Sequence, residues 1–255
     1  MTRLLHFTDM HLRSHLPGTA KDPLRLSREM PGLLERFAGC VEACSPDVLV
    51  MSGDVLDVPG EVIAGNSPDD RDHAEWFSEV LADLRLVKDW FENSGIPYVV
   101  VPGNNDDEKA FAEVFGNSPG PIDIAGLRFF CFWDELSEEG QPLRTGARKA
   151  LFDAAISAPE NDCPQVHVQH YMIAPPTFAK NKHYQYRTAD ELKQAAESSG
   201  RVRAVLSGHY HPGTLEQGPI LHSGAPAFCE TPFHYRLYDF APDGSVSVTD
   251  RTVED

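Results

Sequence analysis

The stretch DVLVMSGDVLD, residues 47–57, begins as an apolar run and ends in two aspartates. Its first part, Asp47–Met51, has the apolar and β-branched composition of a buried strand. Glycine at position 53 allows a sharp turn and a close approach of backbone to a small ligand. Because ligands of open α/β sheets bind beyond the carboxyl ends of the strands, the stretch predicts a strand with a site at its end, at Asp54.

Further strand-like and helical patterns lie on both sides of this stretch. The other predicted strands are Arg3–Thr8, Pro97–Val101, Leu127–Phe132, Gln165–His170, Val202–Ser207, Ile220–Ser223, Tyr235–Phe240 and a weak one at Ser245–Thr249. The predicted helices are Arg28–Cys44, Asp72–Asn93, Thr145–Ser157 and a short one that begins at a capping-box candidate, Thr188 with Glu191. The β-α-β-α-β order of the first half favours a parallel sheet covered by helices, hence an α/β class. The strand-rich second half predicts a further, partly antiparallel sheet packed against the first.

Two connections are long, namely Val58–Arg71 and Met172–Arg187. Each of them follows a polar segment at a predicted strand end. Long loops beside a site often carry function, but a plain surface insertion has the same sequence character. Both interpretations stay open at this point.

Composition limits the classes of partner. The 255 residues are 41% hydrophobic, and 22 basic against 39 acidic side chains give a formal charge of −17. This balance argues against nucleic acid as a partner, because a protein that binds the phosphate backbone of a nucleic acid needs a basic face. A small cationic site, such as a bound metal, remains compatible with it. We expect one domain over residues 1–255.

Cysteine usage and the absence of long apolar runs indicate the compartment. The five cysteines form no CxxC pair, and the first nine residues lack the apolar core of a signal peptide. No apolar run has the length of a membrane span. We therefore expect a cytoplasmic, reduced protein without a membrane segment.

Polar side chains follow five of the predicted strands. The segments are Asp9-Met10-His11, Gly53-Asp54-Val55-Leu56-Asp57, Gly103-Asn104-Asn105-Asp106, a lone His170, and Gly208-His209-Tyr210-His211. Carboxylate oxygens, imidazole nitrogens and an amide oxygen are metal ligands. Seven such groups are too many for one tetrahedral ion, but they suit two ions that share a bridging carboxylate. Two metals about 3.5–4 Å apart are the usual arrangement for in-line displacement at phosphorus.

Taken in order, these segments read Asp-x-His, Gly-Asp-x-x-Asp, Gly-Asn-x-Asp, His and Gly-His-x-His. This series resembles the calcineurin-like metallophosphoesterase superfamily. The resemblance implies a four-layer sandwich of two mixed β-sheets flanked by helices. It also implies two metal ions (manganese, iron or zinc) and attack on phosphorus by a hydroxide that bridges them.

The resemblance also assigns roles to individual residues. Asp9, His11 and His211 would bind one metal; Asn104, His170 and His209 would bind the other; and Asp54 would bridge the two. Asp57 would orient a ligand or a neighbouring loop. The catalytic set so implied is Asp54, Asn104, Asn105 and Asp57.

The sequence departs from the family pattern at Asn105, where many members have a histidine. An amide can donate a hydrogen bond to a phosphoryl oxygen but cannot deliver a proton to the leaving group. General acid catalysis is typically worth about 10²–10⁴-fold. We therefore expect a phosphodiesterase acting on a small phosphorylated or nucleotide-type substrate, with His183 and His222 as candidate replacement proton donors.

Basic residues near the predicted site are Arg13, Lys180, Lys182 and Arg187. The segment Phe178–Arg187 also carries aromatic residues, including Tyr184, and Lys182 and His183 are candidate substrate-binding residues together with Asn105. These basic side chains could equally be solvated surface groups. The alternatives for function are a phosphomonoesterase or nuclease of the same superfamily, or a weakly active metal-binding scaffold. The oligomeric state stays open.

Overall fold

A computed structural model describes residues 1–117, 120–176 and 184–253. The strands are β1 (Thr2–Phe7), β2 (Val48–Ser52), β3 (Tyr98–Val101), β4 (Ile122–Ile124), β5 (Leu127–Phe132), β6 (Glu135–Leu136), β7 (Pro142–Leu143), β8 (Gln165–Gln169), β9 (Val202–Ser207), β10 (Thr214–Gln217), β11 (Leu221–Gly224), β12 (His234–Phe240) and β13 (Val246–Thr252). The helices are α1 (Met30–Cys44), α2 (Gly60–Ile63), α3 (His73–Ser94), α4 (Glu108–Phe115), α5 (Gly146–Ser157) and α6 (Ala189–Ser198), with a 3₁₀ turn at Pro159–Asn161.

Eleven of these strands form two mixed sheets, as predicted, and β6 and β7 pair separately as a two-stranded antiparallel sheet. The first has the order β13-β12-β1-β2-β3, and β1, β2 and β3 are parallel to one another. The second has the order β10-β11-β9-β8-β5-β4, with a parallel centre and antiparallel edges. Helices flank the sheets, which confirms the predicted α/β sandwich.

Alternation along β5 shows how the layers pack. Phe129 and Cys131 belong to a large apolar cluster that joins side chains of both sheets. Phe130 and Phe132 belong to a second cluster, together with side chains of α5 and α6. Successive side chains of a strand point to opposite faces, so one face of the second sheet packs towards the first sheet and the other towards helices.

The helix ends test the sequence signals. The Asp72 side chain accepts a hydrogen bond from Glu75 N at 2.8 Å, and α3 ends at Gly95 in a left-handed conformation, so the helix agrees with the predicted range Asp72–Asn93. The capping box at Thr188 is wrong, because the Thr188 side chain makes no capping hydrogen bond. Helix α4, which was not predicted, begins at Asp107, whose side chain accepts from Ala110 N.

The structure describes the first of the two long connections completely and the second only in part. The first contains the short helix α2, and only the ends of the second lie within the described residues.

Among residues 1–117, 120–176 and 184–253, no helix is both long and apolar enough to cross a bilayer. None of the five cysteines, all within those ranges, forms a disulfide.

Candidate metal centre

The candidate site lies where the loops after strands of both sheets meet. The backbone N–H groups of Asp9 and His11 donate to Gly53 O and Asp54 O at 3.0 and 2.9 Å, which ties the loop after β1 to the loop after β2. Across the sheets, His209 N donates to Asp9 Oδ2 at 2.9 Å. These bonds hold the ligand-bearing loops in fixed register.

Four of the seven predicted ligands have left-handed backbone conformations. The φ angles of Asp9, His11, Asp54 and His209 are 53°, 49°, 50° and 66°. Such conformations are uncommon for residues other than glycine; each costs on the order of 1–3 kcal/mol and persists only where the surroundings enforce it. Backbone strain therefore concentrates at the positions that aim the predicted ligands.

Three glycines in these loops leave space that a side chain would fill. A Cβ atom on Gly103 would lie 2.2 Å from Asp54 Oδ1, and one on Gly208 would lie 2.0 Å from Thr8 Oγ1. At Gly53, where the sequence predicted a close approach, a Cβ atom would lie 2.4 Å from His170 Nδ1. At Gly53 and at Gly103 the atom approached belongs to a predicted ligand.

One cluster of ligand atoms comes from Asp9, His11 and His211, which lie within 4.8 Å of one another. The Nε2 atoms of His11 and His211 are 3.9 and 3.6 Å from Asp9 Oδ1. Both nitrogens of the buried His11 ring lack a hydrogen-bond partner among the described residues. An unpartnered buried nitrogen costs about 1–3 kcal/mol, and a metal at Nε2 would remove that penalty there.

A second cluster comes from Asp54, His170 and His209, again within 4.8 Å. Asn104 joins it, because Asn104 Oδ1 is 3.2 Å from His170 Nε2. The two clusters together contain all seven predicted ligands. Their oxygen and nitrogen donors fit the pair of metal ions on which this kind of site depends.

Asp54 lies between the clusters. Its Oδ2 is 3.4 Å from His11 Nε2, and its Oδ1 is 3.4 Å from His170 Nε2. Burial alone would raise the pKa of Asp54, but His170 and His11 outweigh burial and hold that pKa well below its ordinary value. Asp54 is therefore an anion with one oxygen towards each cluster.

Outer partners orient three of the imidazole rings. His170 Nδ1 donates to Ser52 O at 2.8 Å, and His211 Nδ1 lies 2.5 Å from Glu230 Oε1. His11 Nδ1 lies 3.6 Å from Asp57 Oδ1. In each case Nε2 is left to face the cluster, as is usual for metal-binding histidines. Glu230 was not predicted, since it lies in no strand-end motif.

The histidines of the second cluster differ in their affinity for protons. Burial lowers the pKa of His170, but the carboxylates of Asp54 and Asp9 outweigh burial and raise it to about 9. Burial and the charge on His170 lower the pKa of His209 to about 4. A metal at this cluster would thus displace a proton from His170.

The remaining motif residues hold the loops together. Asn105 donates its backbone N–H and its side-chain amide to the two Asp54 oxygens, at 2.8 and 2.7 Å. Asp106 accepts from Val55 N, Leu56 N and Gly103 N, so it joins the loops after β2 and β3. Burial and the nearby Asp54 charge raise the pKa of Asp106 to about 7.

A cavity of about 650 Å³ opens over the two clusters. Its lining residues are Asp22, Leu24, Arg25, Asp54, Asn104, Asn105, Tyr184, His209, His211, Pro212 and Glu230. The Tyr184 ring lies 5.3 Å from the His209 ring, centroid to centroid. Asn105 and Tyr184 line the cavity as expected, while Arg25 was not among the predicted basic residues.

Other predicted residues lie elsewhere. Arg13 is buried in an ion pair with Asp57 rather than in the cavity, with Nη2 2.6 Å from Oδ2. Arg187 pairs with Glu139 at 3.0 Å on the surface. His222 does not line the cavity; its Nε2 lies 3.6 Å from Glu197 of α6. Lys180, Lys182 and His183 lie outside the described residues.

Fold and site together define a metal-dependent phosphoesterase. The family profile of the calcineurin-like phosphoesterases matches residues 2–213. The chain belongs to this family and is a phosphoric ester hydrolase.

One relative is similar in sequence, and two solved structures are similar in fold. Over 262 aligned residues the chain is 25% identical to a Synechococcus sp. protein named a probable cyclic nucleotide phosphodiesterase, covering 95% of this chain and 89% of that protein. A dimetal phosphatase from Danio rerio has a similar fold, with a TM-score of 0.71 at 14% identity, covering 99% of this chain and 96% of that one. The TT1561 protein of Thermus thermophilus is also similar, with a TM-score of 0.61 at 15% identity and 99% of both chains covered.

Proposed function

We propose that the protein is a dinuclear-metal phosphodiesterase that acts on a small nucleotide-type substrate. The observation that carries the proposal is the position of Asp54, with one carboxylate oxygen towards each cluster of ligand atoms. A carboxylate so placed can be shared by two cations, which is the arrangement used for displacement at phosphorus.

The proposed ligands divide into two sets. Asp9, His11 and His211 bind one ion, and Asn104, His170 and His209 bind the other, with Asp54 shared. When bound, the two ions supply Lewis acidity towards the phosphoryl oxygens and activate a water molecule as the nucleophile. Asp57, Ser52 and Glu230 keep the imidazole rings oriented. Manganese, iron and zinc are the candidate ions, and reconstitution is the way to choose among them.

Two features favour a phosphodiester of nucleotide size. Asn105 cannot deliver a proton, which weakens the case for a phosphomonoesterase that needs one. The cavity of about 650 Å³ is of the size that small-molecule ligands occupy, and Tyr184 offers it an aromatic face. The name of the Synechococcus relative points to a cyclic nucleotide as the first substrate to try.

The charge of the chain disfavours a nuclease. The formal charge is −17, and Asp22 and Glu230 are part of the cavity lining. A long polyanion would be repelled by this field, whereas a small substrate meets the local positive charge of the two ions.

The test is hydrolysis by protein that is stripped with chelator and then reloaded with manganese, zinc, iron or cobalt. Bis(p-nitrophenyl) phosphate, p-nitrophenyl phosphate and a 2′,3′- or 3′,5′-cyclic nucleotide are compared at equal concentration. We expect metal-dependent turnover, with the diesters preferred by kcat/KM. No turnover with any of these metals would favour the scaffold alternative, and preference for the monoester would overturn the diesterase assignment.

A further inference from the structure

Arg25 is the one lysine or arginine in the cavity lining as far as the described residues show it. Its guanidinium makes a single side-chain hydrogen bond within them, from Nη1 to Asp57 Oδ1 at 3.2 Å. The Arg25 Nε atom is buried and has no partner there. A guanidinium carries five N–H donors in a fixed plane, so most of the donor capacity of Arg25 is unused.

The neighbouring Arg13 has the hydrogen bonds expected of an arginine with a structural role. Arg13 Nε and Nη2 both donate to Asp57 Oδ2, at 2.8 and 2.6 Å, and Nη1 donates to Pro17 O at 2.8 Å. All three nitrogens of Arg13 therefore have partners within the protein. Arg13 holds Asp57 in place, which means that Arg25 is not needed for that purpose alone.

The backbone around Arg25 is fixed to the first cluster of ligands. Leu26 N donates to Cys229 O at 3.0 Å, and Cys229 N donates to Asp9 O at 3.1 Å. Arg13 N donates to Ser27 O at 3.1 Å. The backbone at Arg25 is thus held in a fixed position relative to Asp9. A side chain that binds a small ligand needs such a fixed position.

We propose that Arg25 binds the phosphoryl group of the substrate, donating from Nη2 to a non-bridging oxygen, while Nη1 stays on Asp57. The proposal rests on the proposed function. A planar guanidinium matches the geometry of a phosphoryl group and retains its charge at every working pH. Because negative charge grows on those oxygens in the transition state, a donor held there in advance favours reaction as well as binding.

In this arrangement Asp57 contacts both His11 and Arg25. Its Oδ1 faces His11 Nδ1 at 3.6 Å and Arg25 Nη1 at 3.2 Å. The same carboxylate oxygen therefore orients a predicted metal ligand and the proposed phosphate-binding arginine. Asp57 is a positioning residue for both.

The experiment compares Arg25→Met and Arg25→Lys with the wild-type protein after manganese loading. Two quantities are measured besides metal content: kcat/KM for bis(p-nitrophenyl) phosphate, and the Kd of inorganic phosphate by calorimetry. We expect Arg25→Met to lower kcat/KM and to weaken phosphate binding by about 10–100-fold each, as loss of a hydrogen bond to a charged group predicts. Arg25→Lys should keep part of both, because it keeps the charge but loses the planar fork.

The matched control is Arg85→Met, which also removes one positive charge. Arg85 is exposed on α3 and pairs only with Glu113 among the described residues. All three variants should bind as much manganese as the wild type. Unchanged phosphate Kd in Arg25→Met, or phosphate binding too weak to detect in the wild type, would overturn the inference. Loss of metal in both Arg25 variants would do so as well, because Arg25 would then act through Asp57 and His11.

Failure of the proposed function has a different signature. In that case the wild type hydrolyses none of the esters, yet phosphate still binds the metal-loaded protein and Arg25→Met still weakens it. If the wild type is active and the variant equals it in both measurements, the inference about Arg25 fails and the proposed function stands.

Discussion

Asp54 has a left-handed backbone conformation, and contacts on several sides hold its carboxylate in place. It accepts two hydrogen bonds from Asn105 and lies 3.4 Å from imidazole nitrogens on both sides. Its φ of 50° turns the side chain back between the loops after β1 and β3. Strain at this residue is thus balanced by contacts that aim both oxygens.

Asp54→Asn should remove activity at the residue where the two clusters meet. An amide has one acceptor oxygen and no charge, so it cannot serve both cations. We expect kcat/KM to fall at least about 10³-fold, as loss of a centrally placed charge-stabilising group does, and bound manganese to fall at both positions. Atomic emission on dialysed protein measures the metal. Near-wild-type turnover would show that Asp54 is not shared.

Asn105→His should change leaving-group dependence without changing metal content. The imidazole can supply the proton that the amide cannot, worth up to about 10²-fold for poor leaving groups. Rates are compared across phenyl phosphodiesters of increasing leaving-group pKa. Asn105→Gln is the control, since it keeps an amide. An equal effect on good and poor leaving groups would contradict the proton-donor argument.

The predicted metal ligands can be recognised in the sequence, whereas Arg25 and Glu230, which act beside them, cannot. All seven predicted ligands follow strands in recognisable motifs, and the structure brings them into two neighbouring clusters. Arg25 and Glu230 lie in irregular segments outside every motif. Their contribution depends on the tertiary approach of Asp57 and His211, which no local pattern encodes.

At the scale of elements, the long helix α3 supports the loop after the first ligand pair. Asp83 is fully buried on α3, and its carboxylate accepts from the backbone N–H groups of Ser14, His15 and Leu16 at 3.0, 2.7 and 3.0 Å. These residues lie shortly after His11 in the chain. Asp83 was not singled out from the sequence, because an aspartate within a helix is ordinarily exposed.

Asp83→Ala should lower stability, because it leaves three backbone donors without their partner. The N–H of Leu16 is buried, while the hydrogen bonds of Ser14 and His15 are partly buried. An unsatisfied buried donor costs about 1–3 kcal/mol, so we expect a loss of about 2 kcal/mol and a fall in Tm of about 4–8 °C. Asp89→Ala is the control on the same helix, where Asp89 is exposed. Equal Tm values for the two variants would contradict the role of Asp83.

Long or strongly apolar elements are predicted from the sequence more readily than short edge strands. The strand Leu127–Phe132 is a nearly continuous apolar run, the buried residues of helix α3 recur at helical spacing, and both elements were expected nearly as found. The short strands β4 and β10 were missed because they are edge strands with partly exposed side chains. They are defined by pairing with β5 and β11 rather than by their own composition.

At the scale of the molecule, the candidate centre depends on both sheets. Asp9, Asp54 and Asn104 follow strands of the first sheet, while His170 and His209 follow strands of the second. His209 N donates to Asp9 Oδ2 at 2.9 Å, and Phe228 N donates to Thr8 O at 2.8 Å, so hydrogen bonds join the loops of the two sheets. Separation of the sheets would therefore dismantle the site.

Buried neutral histidines should make the metal-free protein sensitive to acid. Burial lowers the pKa of His6 and of His167 to about 3, below the ordinary 6.5. As the pH falls, these two imidazoles are therefore protonated in the unfolded chain before they are protonated in the folded protein. The stability that they contribute is complete above pH 6.5 and is lost as the pH falls towards 3. Each contributes a slope of about 1.4 kcal/mol per pH unit in that interval.

Urea unfolding between about pH 4.5 and 7 in chelator measures this slope. His167→Gln should be less steep than the wild type by about 1.4 kcal/mol per pH unit below about pH 6. His15→Gln is the control, since His15 is half exposed and pairs with Asp83. Identical slopes for wild type and His167→Gln would show that His167 is not held neutral in the folded protein.

The central claim is that Asp54 is shared by two adjacent cations, and electron paramagnetic resonance of the manganese-loaded protein tests it most directly. Two Mn²⁺ ions bridged by one carboxylate are spin-coupled, so we predict a multiline signal that appears as the second equivalent is added and is absent in Asp54→Asn. A spectrum of isolated Mn²⁺ only, at saturating manganese in the wild type, would contradict the account.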